Sequence, residues 1–381
     1  MRTFNFVVLA ILGLFIASCD DDDRLGDWER SIQFSGAGRE GAVCFKDEAT
    51  QTVFVGLGFG SRSEEFDDMY QFDGKEWTQI YSNFPAPQNP GNPGEGQTSG
   101  KGRHAAVAFV IGDYAYVGTG YVSALSNRTT NRDRTFFNDF YRFNIKTKEW
   151  DQTWSSKMVV NGKEVDGRRD AVAFTDGTYG YVGTGYGEND RVYKDFYRFD
   201  PVANTWEEIS FDGDARYGAV AFVINNAAYV CLGGSSVGTS TALVTNVAKF
   251  DFATKTWSRV GALADKPGIK QDKDYGRIPR VYAVAFTSNA GKDAEEYAYI
   301  ALGSGNNVRT VWKYNHKKDQ WHQMEDIATS ATPSVMSVGF SINGYGYYTT
   351  GANGTDASNP SMYIDTWKFI PDVKETRRND Y

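Results

Sequence analysis

An all-β, six-bladed propeller closed by its own N-terminal strand is the fold class that this sequence predicts, and three observations predict it. Six tryptophans, Trp28, Trp77, Trp150, Trp206, Trp257 and Trp321, belong to close variants of one phrase that recurs about every fifty residues. Each copy holds four short runs rich in Val, Phe, Tyr and Trp, broken by Gly, Asp and Asn turns, as a four-stranded antiparallel meander requires. The sixth copy stops without its tryptophan, whereas WERSIQFSGAGREGAV (28–43) matches WEEISFDGDARYGAV (206–220) phrase for phrase. The strand near Trp28 therefore supplies the outer strand of the last blade and shuts the ring, leaving no long exposed sheet edge.

The innermost strands are AVCF (42–45), AVAF (106–109, 171–174, 219–222 and 283–286) and SVGF (337–340). Their residues are small because six blades converge on one axis. Second strands follow: VFVGLGFG (53–60), YAYVGTG (114–120), YGYVGTG (179–185), AAYVCLGG (227–234), YAYIALGSG (297–305) and YGYYTTG (345–351). Glycines at their ends let neighbouring backbones approach closely. The third strands are DDMYQFD (67–73), NDFYRFN (138–144), KDFYRFD (194–200), NVAKFDF (246–252), TVWKYN (310–315) and IDTWKF (364–369), and the tryptophans lie on the fourth, covering the space between adjacent sheets.

Residues 28–370 thus resemble the kelch-repeat family of β-propellers. The family's di-glycine survives literally at Gly233-Gly234 and is replaced by Gly-Thr-Gly at 118–120 and 183–185 and by Gly-Leu-Gly at 56–58, while the Tyr/Phe, Asp/Asn and Trp positions that follow are kept in most copies. The resemblance implies a single kelch-like propeller and leaves the activity open, because that fold carries sugar oxidases, a sialic acid mutarotase and many binding modules.

Residues 1–18 read as a signal peptide: Arg2 is the positive end, FVVLAILGLFIA (6–17) the apolar stretch, too short for a convincing membrane span. Ala17-Ser18-Cys19 resembles a bacterial lipoprotein processing site, which implies lipid on Cys19 as the first mature residue. The acidic run that follows, within a tether at 19–27, resembles the signal that sends lipoproteins of Bacteroidetes-type bacteria to the outer face of the outer membrane; as a mere hydrophilic spacer it would leave the protein facing the periplasm. Residues 371–381 form a C-terminal tail. The membrane is expected to be met only through the lipid, and the chain to be a monomer.

A formal charge of -8 gives no general reason to expect nucleic acid as a partner. Cys44 and Cys231 lie on opposite sides of the ring, too far apart for a disulfide, and read as small buried hydrophobes. The three histidines, His104, His316 and His322, are scattered, so neither a metal nor another cofactor is expected, even though the fold resembles that of copper sugar oxidases.

The pointed signal lies four residues before the valine of the inner strand, where Arg39, Arg103, Arg168, Arg216 and Arg280 stand in five blades and Ser334 in the sixth. In a meander the start of the first strand, the loop between strands two and three and the start of strand three share one face, which also receives Asp68, Asp139, Asp195 and Asp365, with Asn246 and Thr310 at matching positions. Two readings compete. The arginines brace the blades by pairing with these aspartates or with loop carbonyls, or two or three of them grip a carboxylate or sulfate on a glycan or peptide. In related kelch propellers arginines at this point of the repeat line the ligand-binding mouth.

The long stretches 83–102, 121–136, 261–279 and 351–362 fall on the same face, and long loops on a rigid ring are where recognition concentrates. Tyr121, Tyr186 and Tyr275 could offer flat surfaces to sugar rings. The favoured expectation is an envelope-anchored propeller that binds a polar or anionic ligand, a glycan first, through the five arginines with Tyr121 and Tyr186. The alternatives are a mutarotase-like enzyme, with His104, Asp139 or Asp195 moving protons, and an adhesion scaffold for envelope proteins.

Overall fold

The computed structural model describes residues 24–61, 65–81, 83–87, 101–122, 135–237, 241–261, 263, 274–354 and 361–374. The signal segment, Cys19 and most of the four long stretches lie outside the described residues. Among those described, six four-stranded antiparallel sheets make the ring. Their innermost strands are Val43–Asp47, Val107–Ile111, Val172–Thr175, Val220–Ile224, Val284–Ser288 and Val338–Ile342. Val and Phe at alternate positions of these strands are buried between sheets, and the positions between them are small: Cys44, Ala108, Ala173, Ala221, Ala285 and Gly339 stand at one level. The convergence is tight enough that a Cβ on Gly339 would lie 2.9 Å from the Ala285 carbonyl oxygen.

The sixth sheet runs Val338–Ile342, Tyr345–Thr349, Thr366–Ile370 and then Asp27–Arg30, so the N-terminal strand closes the ring. Its register sets Trp28 opposite Phe369. The same aromatic pair recurs in every blade, as Phe72 with Trp77, Phe143 with Trp150, Phe199 with Trp206, Phe250 with Trp257 and Tyr314 with Trp321. Ring centroids stand 4.5–5.3 Å apart across the six pairs, contacts worth about 0.5–1.5 kcal/mol each beyond the area they bury. Trp28 also meets Phe286 of the fifth blade and Tyr348 of the sixth, so the clasp strand seals two sheets at once. Trp257 departs from the expected core role in degree: it is half-buried where the other five are buried.

The clasp begins one residue before Trp28, at a buried Asp27, and the residues after the sixth blade's third strand lie beside it, with the Gly26 amide donating to the Val373 carbonyl at 2.7 Å. In the second blade the outer strand runs on as Glu149–Lys157 into a small hairpin, and the Trp206 indole N–H donates to Ser156 Oγ at 3.0 Å across to the third blade. The bulge between Tyr141 and Phe143 in that pairing accommodates the extension, which the repeat phrase did not disclose. Among the described residues no helix is long and apolar enough to cross a membrane.

Candidate axial ligand site

The five repeated arginines are interior groups. Each is at most 1% exposed. Each Nη1 donates to the carbonyl of the turn residue that ends the second strand, at Leu57, Thr119, Thr184, Leu232 and Leu302, over 3.0–3.3 Å. The terminal nitrogens also reach the start of the third strand, while Nε of Arg39, Arg216 and Arg280 donates to the carbonyl two residues earlier in the chain. Arg39 holds Asp68 through both carboxylate oxygens, Arg103 meets Asp139 at 2.7 Å, and Arg168 grips Asp195 through both oxygens, with Nη2 at 3.0 Å. Arg216 pairs instead with the Asn246 amide oxygen and Arg280 with the Thr310 hydroxyl at 2.8 Å. Aromatic rings close the planes of the first three guanidiniums, at 4.1 Å from Phe66 and Phe137 and 4.3 Å from Tyr193. Without a carboxylate partner, burial pushes Arg216 and Arg280 down to about 10.

This geometry is the bracing reading, and it corrects the assignment of Arg39, Arg103, Arg168, Arg216 and Arg280 as ligand contacts: a ligand could reach them only by opening the sheets. Asp139 and Asp195, expected as candidate proton carriers, are partly buried partners in the same bracing. Each accepts from its arginine and also from a tyrosine two residues on, Tyr141 at 2.8 Å and Tyr197 at 2.9 Å. Tyr275 is likewise interior, its hydroxyl donating to the Trp321 carbonyl at 3.0 Å and accepting from the Trp321 amide at 2.7 Å.

The backbones of the repeated positions tie blade to blade. In every blade the glycine after the second strand donates its N–H to the carbonyl at the arginine position of the next blade, six bonds of 2.7–2.9 Å from Gly58, Gly120, Gly185, Gly233, Gly303 and Gly351. Gly120 shows why glycine stands there: its φ is +84° and a Cβ would meet the His104 carbonyl oxygen at 2.8 Å.

Two residues after the arginine position the chain turns left-handed in all six copies, at Gly41, Ala105, Asp170, Gly218, Tyr282 and Met336, with φ between 54° and 60°. Each of these amides donates to the carbonyl of its counterpart in the preceding blade, and the chain of bonds returns to its start: Ala105 to Gly41, Asp170 to Ala105, Gly218 to Asp170, Tyr282 to Gly218, Met336 to Tyr282 and Gly41 to Met336, over 2.8–3.3 Å. This closed ring of peptide groups holds four non-glycine residues in a conformation that costs on the order of 1–3 kcal/mol apiece. The reversal also sets the preceding residues, Glu40, His104, Arg169, Tyr217, Val281 and Val335, side by side on the loop face. They differ from blade to blade where the arginines do not.

The chemistry of the face is concentrated in them. Arg169 is buried, its plane 3.8 Å from the centre of the Tyr121 ring, with Nε donating to Asp170 Oδ2 at 2.7 Å. Asp170 also accepts from the Tyr282 hydroxyl at 3.4 Å. Among the described residues the Nη2 edge of Arg169 has only the Met336 thioether, at 3.9 Å, a weak acceptor for so strong a donor. Burial pushes the Glu40 carboxyl up to about 7 against the opposing pull of Arg169, and its Oε2 is buried with no hydrogen-bond partner among the described residues. His104 is sandwiched by Phe59 and Tyr121, with ring centroids at 5.0 and 4.0 Å, and its Nδ1 lies 3.6 Å from Glu65; burial, reinforced by Arg169, holds the imidazole well below its usual range and therefore neutral.

Beside this cluster opens a cavity of about 360 Å³ lined by Tyr186, Tyr217, Val237, Leu243, Val281 and Tyr282, among others. Tyr186, expected as an exposed platform, is buried to 8% and forms the cavity's wall through an edge contact with Tyr217. Tyr121, half-buried, serves as the stacking partner of Arg169 and of Phe136. Cys44 and Cys231 are thiols pushed up to about 12 by burial, which makes them unreactive.

Arg169, Asp170, Glu40, Tyr217 and Tyr282 are the residues that sequence reasoning passed over. A signal for them existed: the two positions after the five repeated arginines and Ser334 read Glu-Gly, His-Ala, Arg-Asp, Tyr-Gly, Val-Tyr and Val-Met, the one stretch of the inner phrase that changes chemical character from copy to copy.

A family model described as the KLHDC2/KLHL20/DRC7 Kelch-repeats domain matches residues 32–234 and again 103–351. Among solved structures, one titled "Structure of YjhT" superposes with a TM-score of 0.60 at 16% identity, over 88% of this chain and 96% of that one, a likeness of fold alone. A search of the curated proteins finds no match.

Proposed function

We propose, from the premise that this chain belongs to the Kelch-repeat domain family, that the propeller binds a polar or anionic ligand at its axial mouth, a glycan first among the candidates. The observation that carries this reading is Arg169. It is a buried cation held flat by Tyr121 and tied at one edge by Asp170, with its other edge presented to a weak acceptor, and the Tyr186 and Tyr282 that flank the Arg169–Asp170 pair also line a cavity of about 360 Å³. A guanidinium so arranged is preorganised for a planar anion such as a carboxylate. The tyrosines around the cavity provide ring faces and hydroxyls, the mixture that sugar rings use, and the volume is of the order that small-ligand pockets occupy.

A glycan array on the intact protein, followed by calorimetry with each hit, tests the reading. Arg169→Lys keeps the charge but loses the fork and the stacking plane, and a drop in affinity of about tenfold or more is expected. An array on which no glycan binds would instead favour the adhesion-scaffold alternative.

A second reading, a proton-transferring enzyme of the mutarotase kind, is favoured by Glu40, a carboxyl poised near neutrality beside Arg169, rather than by His104, Asp139 or Asp195. Anomer-exchange NMR on any sugar that binds separates the two, since acceleration of exchange belongs only to the enzyme. We also propose that lipid on Cys19 holds the chain at the outer membrane, facing outward; mass spectrometry of the mature N-terminus should find a diacylated or triacylated cysteine, and an unmodified chain starting elsewhere would overturn it.

A further inference from the structure

We infer that binding of a carboxylate-bearing ligand at Arg169 is coupled to the uptake of one proton by Glu40, so that the site recognises an anion together with a hydrogen-bond acceptor; the inference rests on the axial-mouth reading. Glu40 enters from the first blade at the position equivalent to Arg169 in the third, and the ring of peptide bonds through Gly41 and Asp170 fixes the two relative to each other. Its backbone is pinned opposite Phe59, so the carboxyl is held in place rather than carried on a mobile loop.

The groups around it can be named element by element. The third blade contributes Arg169, which favours the ionised form, and Asp170, which opposes it. The second blade contributes neutral His104 with Glu65 against it, the fifth Tyr282 and the fourth Tyr217, while Val335 and Met336 of the sixth bring no charge. One cation therefore sustains the ionised state of a carboxyl whose Oε2 lacks a donor. A buried carboxylate oxygen without a donor is costly, whereas the acid form has an O–H to give.

A ligand anion paired to the Nη edge of Arg169 neutralises that cation's field and adds a like charge close to Glu40. Both changes favour the protonated form. The proton comes from solvent, stays on Glu40 and is donated as a hydrogen bond to an oxygen of the ligand; no covalent bond is made or broken. The ligand class that follows is a sugar acid, with a carboxylate for Arg169 and a hydroxyl or ring oxygen for Glu40.

The probes are glucuronate, galacturonate and N-acetylneuraminate, with glucose as the uncharged control, titrated calorimetrically between pH 6 and 9 in buffers of different ionisation enthalpy. Above the ordinary titration of Glu40, near 7, affinity for the sugar acid should fall by about tenfold per pH unit, with close to one proton taken up per ligand. Glu40→Gln should bind with an affinity that does not change with pH and with no proton uptake, at an unchanged melting temperature. Sugar-acid binding by the wild type without proton uptake at pH 8, or the same pH slope in Glu40→Gln, would overturn the coupling and leave the axial site standing. Failure of every sugar acid to bind at pH 6, while carbon NMR shows Glu40 titrating near neutrality, would sink the axial reading and the coupling with it.

Discussion

Arg168 and Arg169 are neighbours in the chain, both buried, and they differ in what their guanidinium groups have left to give. Arg168 gives its two terminal nitrogens to the Thr184 carbonyl and both oxygens of Asp195 and lies against Tyr193, with Nε alone left without a partner among the described residues. Arg169 gives one edge to Asp170 and turns the other toward a thioether. A buried cation whose terminal nitrogens are both taken by a carboxylate and a carbonyl of its own blade is a brace; one whose free terminal nitrogen meets only a thioether among the described residues is a candidate contact. The comparison teaches that burial alone does not sort structural from functional charge, and that partner inventory does.

The largest expected effect follows from breaking the brace. Arg168→Ala leaves Asp195 with the Tyr197 hydroxyl alone and empties the space of a fully buried side chain, and should cost about 3–5 kcal/mol of unfolding free energy, read from urea denaturation. Arg169→Lys should move ligand affinity and leave the denaturation midpoint close to wild type. If the two substitutions shifted stability equally and neither touched binding, the division between the neighbours would be wrong.

That division also explains what the sequence disclosed and what it hid. The six-fold phrase, the tryptophan count and the match of 28–43 to 206–220 made the blades and their closure legible, because each is a local pattern repeated where packing demands it. The pairing of the arginine position with Asp68, Asp139, Asp195, Asn246 and Thr310 was legible for the same reason. What remained illegible was which positions reach the axis, since that depends on a left-handed turn at Gly41, Ala105, Asp170, Gly218, Tyr282 and Met336 that only three of the six letters, two glycines and an aspartate, hint at. Repetition drew the eye to residues that every blade needs for packing. In a ring of near-identical blades the proposed ligand site lies where the copies differ, at Glu40, His104, Arg169 and Tyr217, and Tyr121 joins it by stacking on Arg169.

A middle-sized effect concerns acid. Burial alone would raise the Asp139 carboxyl, but the charge and hydrogen bond of Arg103 with the Tyr141 hydroxyl overturn this and hold it below the usual carboxylate range. Its folded value is thus depressed relative to the unfolded chain, near 4. The contribution it makes is present above that unfolded value and is lost as the pH falls through the folded one. Asp139→Asn should therefore flatten the loss of stability as the pH falls below about 4, and lower stability at pH 7 by about 1–3 kcal/mol. Thr310, a neutral partner in the equivalent place, allows no such titration. Arg280→Met should accordingly leave the shape of the acid limb as in wild type, and a changed limb in that variant would show that the acid sensitivity has another source.

The smallest effect belongs to the sixth blade, where Ser334 replaces the inner arginine and Asp365 is instead met by Arg30 of the clasp strand. That pair is 3.4 Å apart, with the Arg30 side chain 41% exposed and stacked 5.0 Å from Trp367. Water and salt compete for both charges, so Arg30→Ala should cost less than about 1 kcal/mol, and less still at high ionic strength. The clasp does not depend on it, because Trp28 packed among Phe286, Tyr348 and Phe369 supplies the apolar seal. Were Arg30→Ala to destabilise as much as Arg168→Ala, exposure would not be what separates the sixth blade's ion pair from the others, and the N-terminal strand would be held chiefly by charge.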